Sequence, residues 1–354
     1  MTKRQFRCLA CTAVVMVSGL GAAAPSSGTT MRAVHPGESI QAAVDAAKPG
    51  DTIFVAPGTY RESVLVTTSG LTLRGAGPAT VIRPAAAGTR AANACAQIGS
   101  GICVRGTDSK PVKNVAVRSL TLSGFAKNGL WATRTDRLSV RKVTAEKNGT
   151  WGLAQERSTR GVFRENTARS NGDAGIFLAN TIDSEGGATD IGGAVVAGNR
   201  LSDNRIGITV RRVRNLSVLR NEITANCAGI FVVGDESKPA AGAMTIARNV
   251  VSKNNKHCPA TARLPFLQGS GIVLTGSEAT VVRHNKVTDN VGTSPLSGGI
   301  VLFQSFVGAA NTDNVIENNR VTGNGKADLA NAAGGATNKF SGNRCKTSVP
   351  AGMC

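Results

Sequence analysis

Four basic side chains stand at the end of a short segment that precedes a recurring asparagine: Arg220, Arg248, Arg283 and His284. Guanidinium groups neutralise a carboxylate, and an imidazole accepts or donates a proton near neutral pH. Together these groups suit removal of the proton beside the carboxylate of a uronic acid sugar. We therefore predict that these four side chains are catalytic. The alternative is that they bind an anionic sugar without catalysis.

Aromatic side chains follow a second recurring signal, a glycine before Ile or Leu. Trp131, Phe177 and Phe231 each lie two residues after such a glycine. Because side chains alternate along a strand, the residue after the glycine should point inward and these three should point outward. Aromatic rings stack on the apolar faces of sugars, so we predict that they bind substrate. The alternative is an apolar strip that a loop covers.

Charged side chains lie just beyond the same segments: Arg134, Glu156, Arg157, Arg211, Arg212 and Asp235. In a stack of parallel strands about 4.8 Å apart they would form a ladder on one surface. Such arginines can hold uronate carboxylates through paired hydrogen bonds, and a desolvated Glu156 or Asp235 can act as an acid or a base. We predict that this ladder binds substrate; the alternative is a solvated ladder of ion pairs.

An internal repeat positions these side chains. Glycine followed by Ile or Leu recurs at 129, 152, 175, 207, 229, 271 and 299, with a shortest step of 22 residues. Asparagine pairs five residues apart run in phase with it, as at Asn221 and Asn226. Each unit holds three short apolar runs, which leaves no room for a helix. The sequence therefore predicts an all-β fold, a right-handed parallel β-helix solenoid with asparagines at its corners.

The two ends of the chain depart from the repeat. Residues 1–24 are typical of a secretory signal peptide, since basic residues precede an apolar run that ends in small residues. We expect a secreted, extracellular protein whose β-helix domain spans residues 25–354, with no segment that spans a membrane. Residues 36–60 predict an N-terminal cap with a short helix at Ile40–Ala47 and a strand at Thr52–Val55. At residues 345–354, a cysteine at each end of the segment predicts a C-terminal end that is closed by a disulfide.

Six cysteines follow the predicted signal peptide: Cys95, Cys103, Cys227, Cys258, Cys345 and Cys354. An even number in an exported chain favours disulfides. Short separations predict the pairs Cys95–Cys103 and Cys345–Cys354, which leaves Cys227 with Cys258. Zinc is the competing interpretation, but no CxxC occurs after residue 24. We predict no metal site and no cofactor.

The formal net charge is +19. A strongly basic exported protein favours acidic partners, so we expect an acidic polysaccharide or an anionic cell-surface polymer. The sequence has no nucleic-acid motif and only 4% aromatic residues, so nucleic acid is not an expected partner. We expect a monomer.

The opening IQAAVDAAKPGDTIFVAPGTYRESVLV, the later LTLRGAG and the repeats resemble secreted right-handed parallel β-helix proteins of the pectate-lyase-like superfamily. The cap is similar to that of pectin methylesterases and of proteins akin to the nitrous-oxide-reductase accessory protein. The resemblance covers residues 36–345 and implies the fold. It also implies a cleft like that of pectate lyases, on the side of the strand before the first asparagine of each pair.

The resemblance is less specific for activity, because many chemistries share this fold. Calcium-dependent pectate lyases place an Asp-His pair before a turn asparagine, whereas VVRHN at 281–285 has Arg283 and His284 there. Calcium therefore has no matching motif. The resemblance implies lyase-like β-elimination or epimerisation at uronates. The alternatives are a non-catalytic carbohydrate or cell-surface binding module and a metal-delivery accessory protein.

Overall fold

The computed structural model describes residues 29–332 and 337–354 of the chain. The predicted signal peptide at 1–24 lies outside the described residues. Across the described ranges, the strands form three long parallel sheets and one short pair, with two short helices. The predicted all-β parallel β-helix solenoid with a short capping helix is confirmed.

Successive coils contribute strands to three sheets, named here A, B and C. Sheet A comprises Met31–Val34, Thr52–Val55, Thr72–Gly75, Ala116–Arg118, Ser139–Arg141, Val162–Arg164, Thr189–Ala197, Val213–Leu219, Ala241–Gly242, Thr245–Ala247, Ser277–Glu278, Val281–Arg283, Val315–Glu317 and Lys339–Ser341. Sheet B comprises Gly58–Arg61, Thr80–Arg83, Thr121–Ser123, Thr144–Glu146, Thr167–Arg169, Arg200–Ser202, Glu222–Thr224, Val250–Ser252, Lys286–Thr288 and Arg320–Thr322. Sheet C comprises Val64–Val66, Ile102–Arg105, Leu130–Thr133, Leu153–Glu156, Ala174–Ala179, Ile206–Arg211, Ala228–Val233, Ser270–Thr275, Gly298–Phe303, Leu329–Asn331 and Ser348–Val349. The short pair joins Val112–Lys113 to Thr135–Asp136.

A single coil shows how the sequence pattern becomes a core. Val218 of sheet A, Ile223 of sheet B and Ile230 of sheet C are all fully buried. Each lies directly beside the inward residue of the next coil in a parallel register. Because every coil repeats this arrangement, the inward side chains form one continuous apolar core along the solenoid axis.

Asparagine side chains run along two corners of the solenoid. At the corner between sheets A and B, each amide donates to the next in the order Asn166, Asn199, Asn221, Asn249, Asn285, Asn319, Asn343. At the corner between sheets B and C the order is Asn148, Asn171, Asn204, Asn226, Asn254, Asn290, Asn324. The last of these donates to the carboxylate of Asp328 at 3.0 Å. The ladders satisfy backbone groups that the turns would otherwise leave buried without partners.

The N-terminal cap begins with a helix, α1, at Ile40–Asp45. It ends two residues earlier than predicted, because Ala46 is its C-cap and Pro49 follows shortly. The carboxylate of Glu62 accepts from the backbone N–H of Ile40 at 2.7 Å and so helps to satisfy the first turn. The predicted strand at Thr52–Val55 has the predicted bounds. Residues 36–60 thus pack at the start of the stack, as a cap requires.

A second helix, α2 at Ala94–Ile98, was not predicted from the sequence. It has only five residues, and tertiary contacts hold it: Asn93 caps its first turn and also donates to Ser63 O at 2.8 Å. Cys95 within it is bonded to Cys103. A helix this short has no periodicity that a sequence pattern can reveal.

Three disulfides join the six predicted cysteines in the predicted pairs. The Cα–Cα distances are 5.6 Å for Cys95–Cys103, 6.0 Å for Cys227–Cys258 and 5.2 Å for Cys345–Cys354. Disulfides of this kind are typical of proteins in an oxidising compartment outside the cytoplasm. Among the described residues, no helix is long and apolar enough to cross a membrane.

Inserted loops cluster around sheet C. Residues 180–188, 234–240 and 304–314 leave that sheet, and residues 253–269 and 289–297 enter it. The first of these loops ends where the strand Thr189–Ala197 begins, and that strand has a register shift between Asp190 and Ala194. Loops on both edges of one sheet raise two walls over its outer face.

Candidate functional site

A groove of about 500 Å³ lies over the outer face of sheet C, between these two walls. We call it the central groove. Phe177 and Thr209, which are neighbours in adjacent strands, lie on its floor. Ile182 and Glu185 stand on the wall that leaves the sheet, and Leu264 stands on the wall that enters it. The resemblance implied a cleft beside sheet A, whereas the structure has its loop-walled groove over sheet C, where the long insertions are.

An aromatic pair forms one end of the central groove. The rings of Trp151 and Phe177 stack with centroids 4.2 Å apart and planes inclined by 8°. The indole Nε1 of Trp151 donates to Oδ2 of Asp173 at 2.9 Å, which fixes the orientation of the ring. Phe177, one of the three aromatic residues predicted to meet a sugar, thus lies in the groove but is only 5% exposed beneath Trp151. Trp151, which the pattern did not single out, is the half-buried ring of the pair.

The other two predicted aromatic residues do not offer a ring face to the groove. Phe231 also lies in the lining of the groove, but it is only 2% exposed and packs in one cluster with Cys227, Cys258 and Leu267, so it has no open ring face. Trp131 is half-buried beside Phe177, outside the lining of the central groove. Its Nε1 has no hydrogen-bond partner among the described residues.

Asp173 and Arg205 lie together in the lining of the groove. Arg205 is 8% exposed and donates from Nη1 to the carbonyl of Pro259 at 2.7 Å, while its Nη2 is buried without a partner. Burial lowers the pKa of Arg205, and the charge of Asp173 opposes that shift. Burial raises the pKa of the Asp173 carboxyl, and the Trp151 hydrogen bond and the Arg205 charge oppose it. A carboxyl shifted upward is better suited to proton transfer near neutral pH.

We expect the Asp173 carboxyl to make stability depend on pH. Because its pKa is raised in the folded state, its contribution to stability is complete below the ordinary carboxyl pKa and is lost as the pH rises through the folded-state pKa. Asp173→Asn should remove this loss, so its melting temperature should fall less than that of the wild type between about pH 4 and pH 7. Asp289→Asn, at an exposed turn, is the control. Parallel melting curves for Asp173→Asn and the wild type would contradict this assignment.

Arg211 lies in the strand that crosses the middle of the groove, and its side chain is 16% exposed. Its contacts with the other described residues are long, 3.4 Å to the carbonyl of Ile182 and 3.6 Å to Glu185. Burial lowers the pKa of its guanidinium, and the charges of Arg212 and Arg263 lower it further. A desolvated cation held so weakly is suited to receive an anion.

Arg212 is predominantly structural. Its side chain is 2% exposed, and Nη1 contacts Glu185 and lies 3.0 Å from Oδ2 of Asp235. Nη2 donates to the carbonyls of Thr181 at 3.1 Å and Ser184 at 2.7 Å. This residue therefore ties two of the loops that leave sheet C to each other and forms the base of one wall.

Three further charged residues predicted to bind substrate lie outside the lining of the groove. Arg134 pairs with exposed Asp108 at 2.6 Å. Glu156 is 6% exposed; it accepts from the backbone of Ile182 at 3.0 Å and lies 3.8 Å from Arg157. These ion pairs build the start of the loop wall, so Glu156 is held by partners where a base would need to be free.

The four predicted catalytic residues come together, but not in the central groove. Arg220, Arg248, Arg283 and His284 line a shallow depression of about 360 Å³ at the corner between sheets A and B. All four are exposed. None makes a side-chain hydrogen bond or ion pair within the described residues. The depression has no carboxylate in its lining, and exposure to water weakens the electrostatic effects on which proton transfer depends.

The residues that sequence reasoning missed are Trp151, Asp173, Arg205 and Arg263, all of which line the groove. The first three lie just before the glycine signal of their coils, in a stretch that varies in length from coil to coil. Trp151 directly precedes Gly152, so its position in the repeat was available as a signal. Arg263 lies in an insertion, which no repeat pattern places.

The architecture thus combines three parallel sheets, two asparagine ladders and a loop-walled groove. The family described as "Right handed beta helix region" matches residues 58–185 and 179–306, more than half of the chain. The chain belongs to this right-handed β-helix family. The predicted superfamily and handedness are thereby confirmed. The chain has no significant match among curated protein sequences.

Solved structures share the fold of this β-helix at low sequence identity. The A-module of mannuronan C-5 epimerase AlgE6 from Azotobacter vinelandii is 18% identical with a TM-score of 0.62, over 87% of this chain and 89% of that one. The periplasmic alginate epimerase AlgG is 14% identical with a TM-score of 0.59, over 89% and 84%. Pectate lyase Pel9A is 14% identical with a TM-score of 0.52, over 91% and 78%. These likenesses show the fold and not the activity.

Within the described ranges, no group of three or more His, Cys, Asp or Glu side chains could hold a metal ion. Two carboxylates of the central groove also have other partners: Asp235 pairs with Arg212, and Asp173 accepts a hydrogen bond from Trp151. The described residues therefore do not fit the calcium site that pectate lyases of this fold imply.

Proposed function

We propose that this β-helix is an exported protein that binds an acidic polysaccharide in the central groove and processes it at its uronate units. The proposal rests above all on one observation. A walled groove presents the stacked Trp151–Phe177 pair together with guanidinium groups that the protein itself leaves partly unpaired. Aromatic rings stack on the apolar faces of a sugar, and guanidiniums bind its carboxylate.

The charges of the groove favour an anionic sugar over a neutral one. Four arginines and three carboxylates line it: Arg205, Arg211, Arg212, Arg263, Asp173, Glu185 and Asp235. Arg212 pairs with Asp235 and Glu185, and Arg211 lies 3.6 Å from Glu185. With four guanidiniums and three carboxylates, the lining carries one formal positive charge in excess. Arg211 is 16% exposed and makes only long contacts with Ile182 and Glu185 among the described residues, so its guanidinium is the one that a uronate carboxylate would meet.

Asp173 supplies a proton-transfer group beside those cations. In β-elimination, the carboxylate of Asp173 would take the proton from C5 of the uronate, and the guanidiniums would stabilise the negative charge that develops on the sugar carboxylate. The C4–O4 bond then breaks as the C4–C5 double bond forms, and the departing oxygen takes a proton from water. In epimerisation, C5 instead regains a proton on its opposite face.

Incubation with polyuronates should distinguish β-elimination from epimerisation by their products. Elimination creates unsaturated ends that absorb in the ultraviolet, and epimerisation changes the configuration at C5, which NMR detects. Asp173→Asn should abolish either product while binding is retained, because the side chain stays isosteric and still accepts from Trp151. Tight binding without either product, across a panel of polyuronates, would support the non-catalytic binding module in place of the enzyme.

Arg211→Gln tests the binding half of the proposal. Losing a charge-assisted contact with a carboxylate should weaken the affinity for a uronate oligosaccharide roughly 10- to 100-fold. Arg90→Gln removes the same charge at an exposed loop position outside the groove, and we expect its affinity to match the wild type. Equal affinities for Arg211→Gln and Arg90→Gln, measured by calorimetry, would overturn the groove as the binding site.

A further inference from the structure

The corner between sheets A and B carries a row of cations that the central groove does not use. It consists of Arg220, Arg248, Arg283, His284, Lys286, Arg320 and Arg344, and we call it the basic ridge. Arg220, Arg248 and His284 occupy one column in successive coils. The backbone N–H of Arg220 donates to the carbonyl of Ala247, and that of Arg248 donates to the carbonyl of Arg283, so each bond ends one residue before the next member of the column. Lys286 and Arg320 are direct partners in sheet B, and Arg320 bridges to Arg344.

The ridge is continuous along the solenoid axis. Two depressions of about 360 and 450 Å³ lie along it and share His284 in their linings. The second is also lined by Arg320 and Arg344. With coils about 4.8 Å apart, the five coils from Arg220 to Arg344 span roughly 19 Å. The ridge is thus long enough to meet several units of an extended chain.

The same corner is neutralised in earlier coils. There Glu165 lies 3.4 Å from Arg141 and 3.8 Å from Lys142. Glu222, in the first coil of the ridge, pairs at 3.5 Å with Arg200 of the preceding coil and not with a ridge cation. From Arg220 onward, the cations of the ridge have no ion pair among the described residues, although Glu317 stands beside Arg283 in the register. The difference between the two halves leaves the later half with an uncompensated positive potential.

Three cations of the ridge have a left-handed backbone conformation. Arg220, Arg248 and His284 have positive φ values of 53°, 58° and 54°, a conformation that glycine or asparagine adopts with less strain. Gly198 and Gly342 occupy the same column in other coils, also at positive φ. Lys142, Glu165 and Asn318 hold the same position in other coils, also at positive φ. The position therefore accepts several residue types, and the run of cations distinguishes the ridge.

We propose that the basic ridge is a second, non-catalytic binding surface for a linear acidic polysaccharide, which lies along the solenoid axis. This inference rests on the proposed function for the class of polymer, but not for the location of the site. Charge alone would hold the polymer, since no aromatic side chain lines the two depressions. Because one long polymer can occupy both the ridge and the groove, the ridge raises the local concentration of polymer at the groove.

The test compares proteins that differ only in where charge is lost. Removing three ridge charges, in Arg220→Gln/Arg248→Gln/Arg283→Gln, should lower the affinity for long polygalacturonate roughly 5- to 100-fold at low ionic strength. The plot of log affinity against log salt should also become less steep by about two. The control, Lys48→Gln/Arg90→Gln/Lys110→Gln, loses the same charge at exposed positions elsewhere. It should keep the wild-type affinity, as should the triple Arg→Lys variant of the ridge.

The outcomes separate the ridge from the groove. Equal losses in the ridge and control triples would overturn the ridge as a site. Tighter binding of double-stranded DNA or of anionic phospholipid vesicles than of polygalacturonate, with the same dependence on the ridge, would overturn the acidic polysaccharide as its partner. If the ridge triple loses polymer affinity while Arg211→Gln has no effect on a short uronate oligosaccharide, the ridge stands and the proposed function of the groove fails.

Discussion

Arg212→Leu should lower the free energy of unfolding by about 3–5 kcal/mol, because removing one partner of a buried ion pair leaves the other uncompensated. Asp235, whose side chain is 10% exposed, loses its cation, and the carbonyls of Thr181 and Ser184 lose a donor. Denaturant titration followed by circular dichroism measures the change. Since the same residue joins two loops of the groove wall, binding of the uronate oligosaccharide should weaken as well.

Arg134→Leu is the matched control. Arg134 stands at the equivalent corner three coils earlier and has a similar backbone, with φ of 52° against 50° for Arg212. Its partner Asp108 is 77% exposed, and exposed ion pairs contribute little. The two variants therefore share the substitution and the backbone strain and differ in burial. Similar stabilities for both would contradict the structural role given to Arg212.

Asn226→Ala should be comparably destabilising, by about 3–5 kcal/mol, since each buried polar group left unpaired costs about 1–3 kcal/mol. The Asn226 carbonyl accepts from the backbone and side chain of Asn204, and its amide donates to Asn254 and to the carbonyls of Leu201 and Thr224. The loss should appear as a lower denaturation midpoint.

Asn255→Ala provides the comparison for the ladder. Asn255 is exposed, and its side-chain oxygen accepts one hydrogen bond, from the backbone of Val291 at 2.6 Å. It should lose only a small part of the stability that Asn226→Ala loses. If the two alanine variants unfold at the same denaturant concentration, the ladder is not the stabilising device that its hydrogen bonds indicate.

The sequence predicted most of the fold because the fold is periodic. The glycine signal, the asparagine pairs and the three apolar runs recur along most of the chain, and a parallel stack is the arrangement that lets identical positions meet. Cys227 and Cys258 were paired correctly because the other four cysteines form two pairs of short separation. Helix α2 was missed because its five residues depend on Asn93 and the Cys95–Cys103 bond and not on a repeating pattern.

The candidate site was predicted less well because loops build it. Phe177 and Arg211 belong to the repeat and were found, whereas Arg263 lies in an insertion that has no counterpart in other coils. Phe231 was expected to face solvent, and the strand does turn it outward, but the loop closed by Cys258 and Leu267 covers it. Alternation along a strand predicts the face of a side chain, and tertiary structure decides whether that face is open.

The central claim, that an acidic sugar binds against Trp151, can be tested by tryptophan fluorescence. The chain has two tryptophans, so Trp131→Phe leaves Trp151 as the sole reporter in the groove, and Trp151→Phe is its converse. Titration of Trp131→Phe with a uronate oligosaccharide should change the emission saturably, whereas Trp151→Phe should respond weakly or not at all. An unchanged emission of Trp151 at oligosaccharide concentrations where calorimetry shows saturation would place the sugar elsewhere and contradict the account.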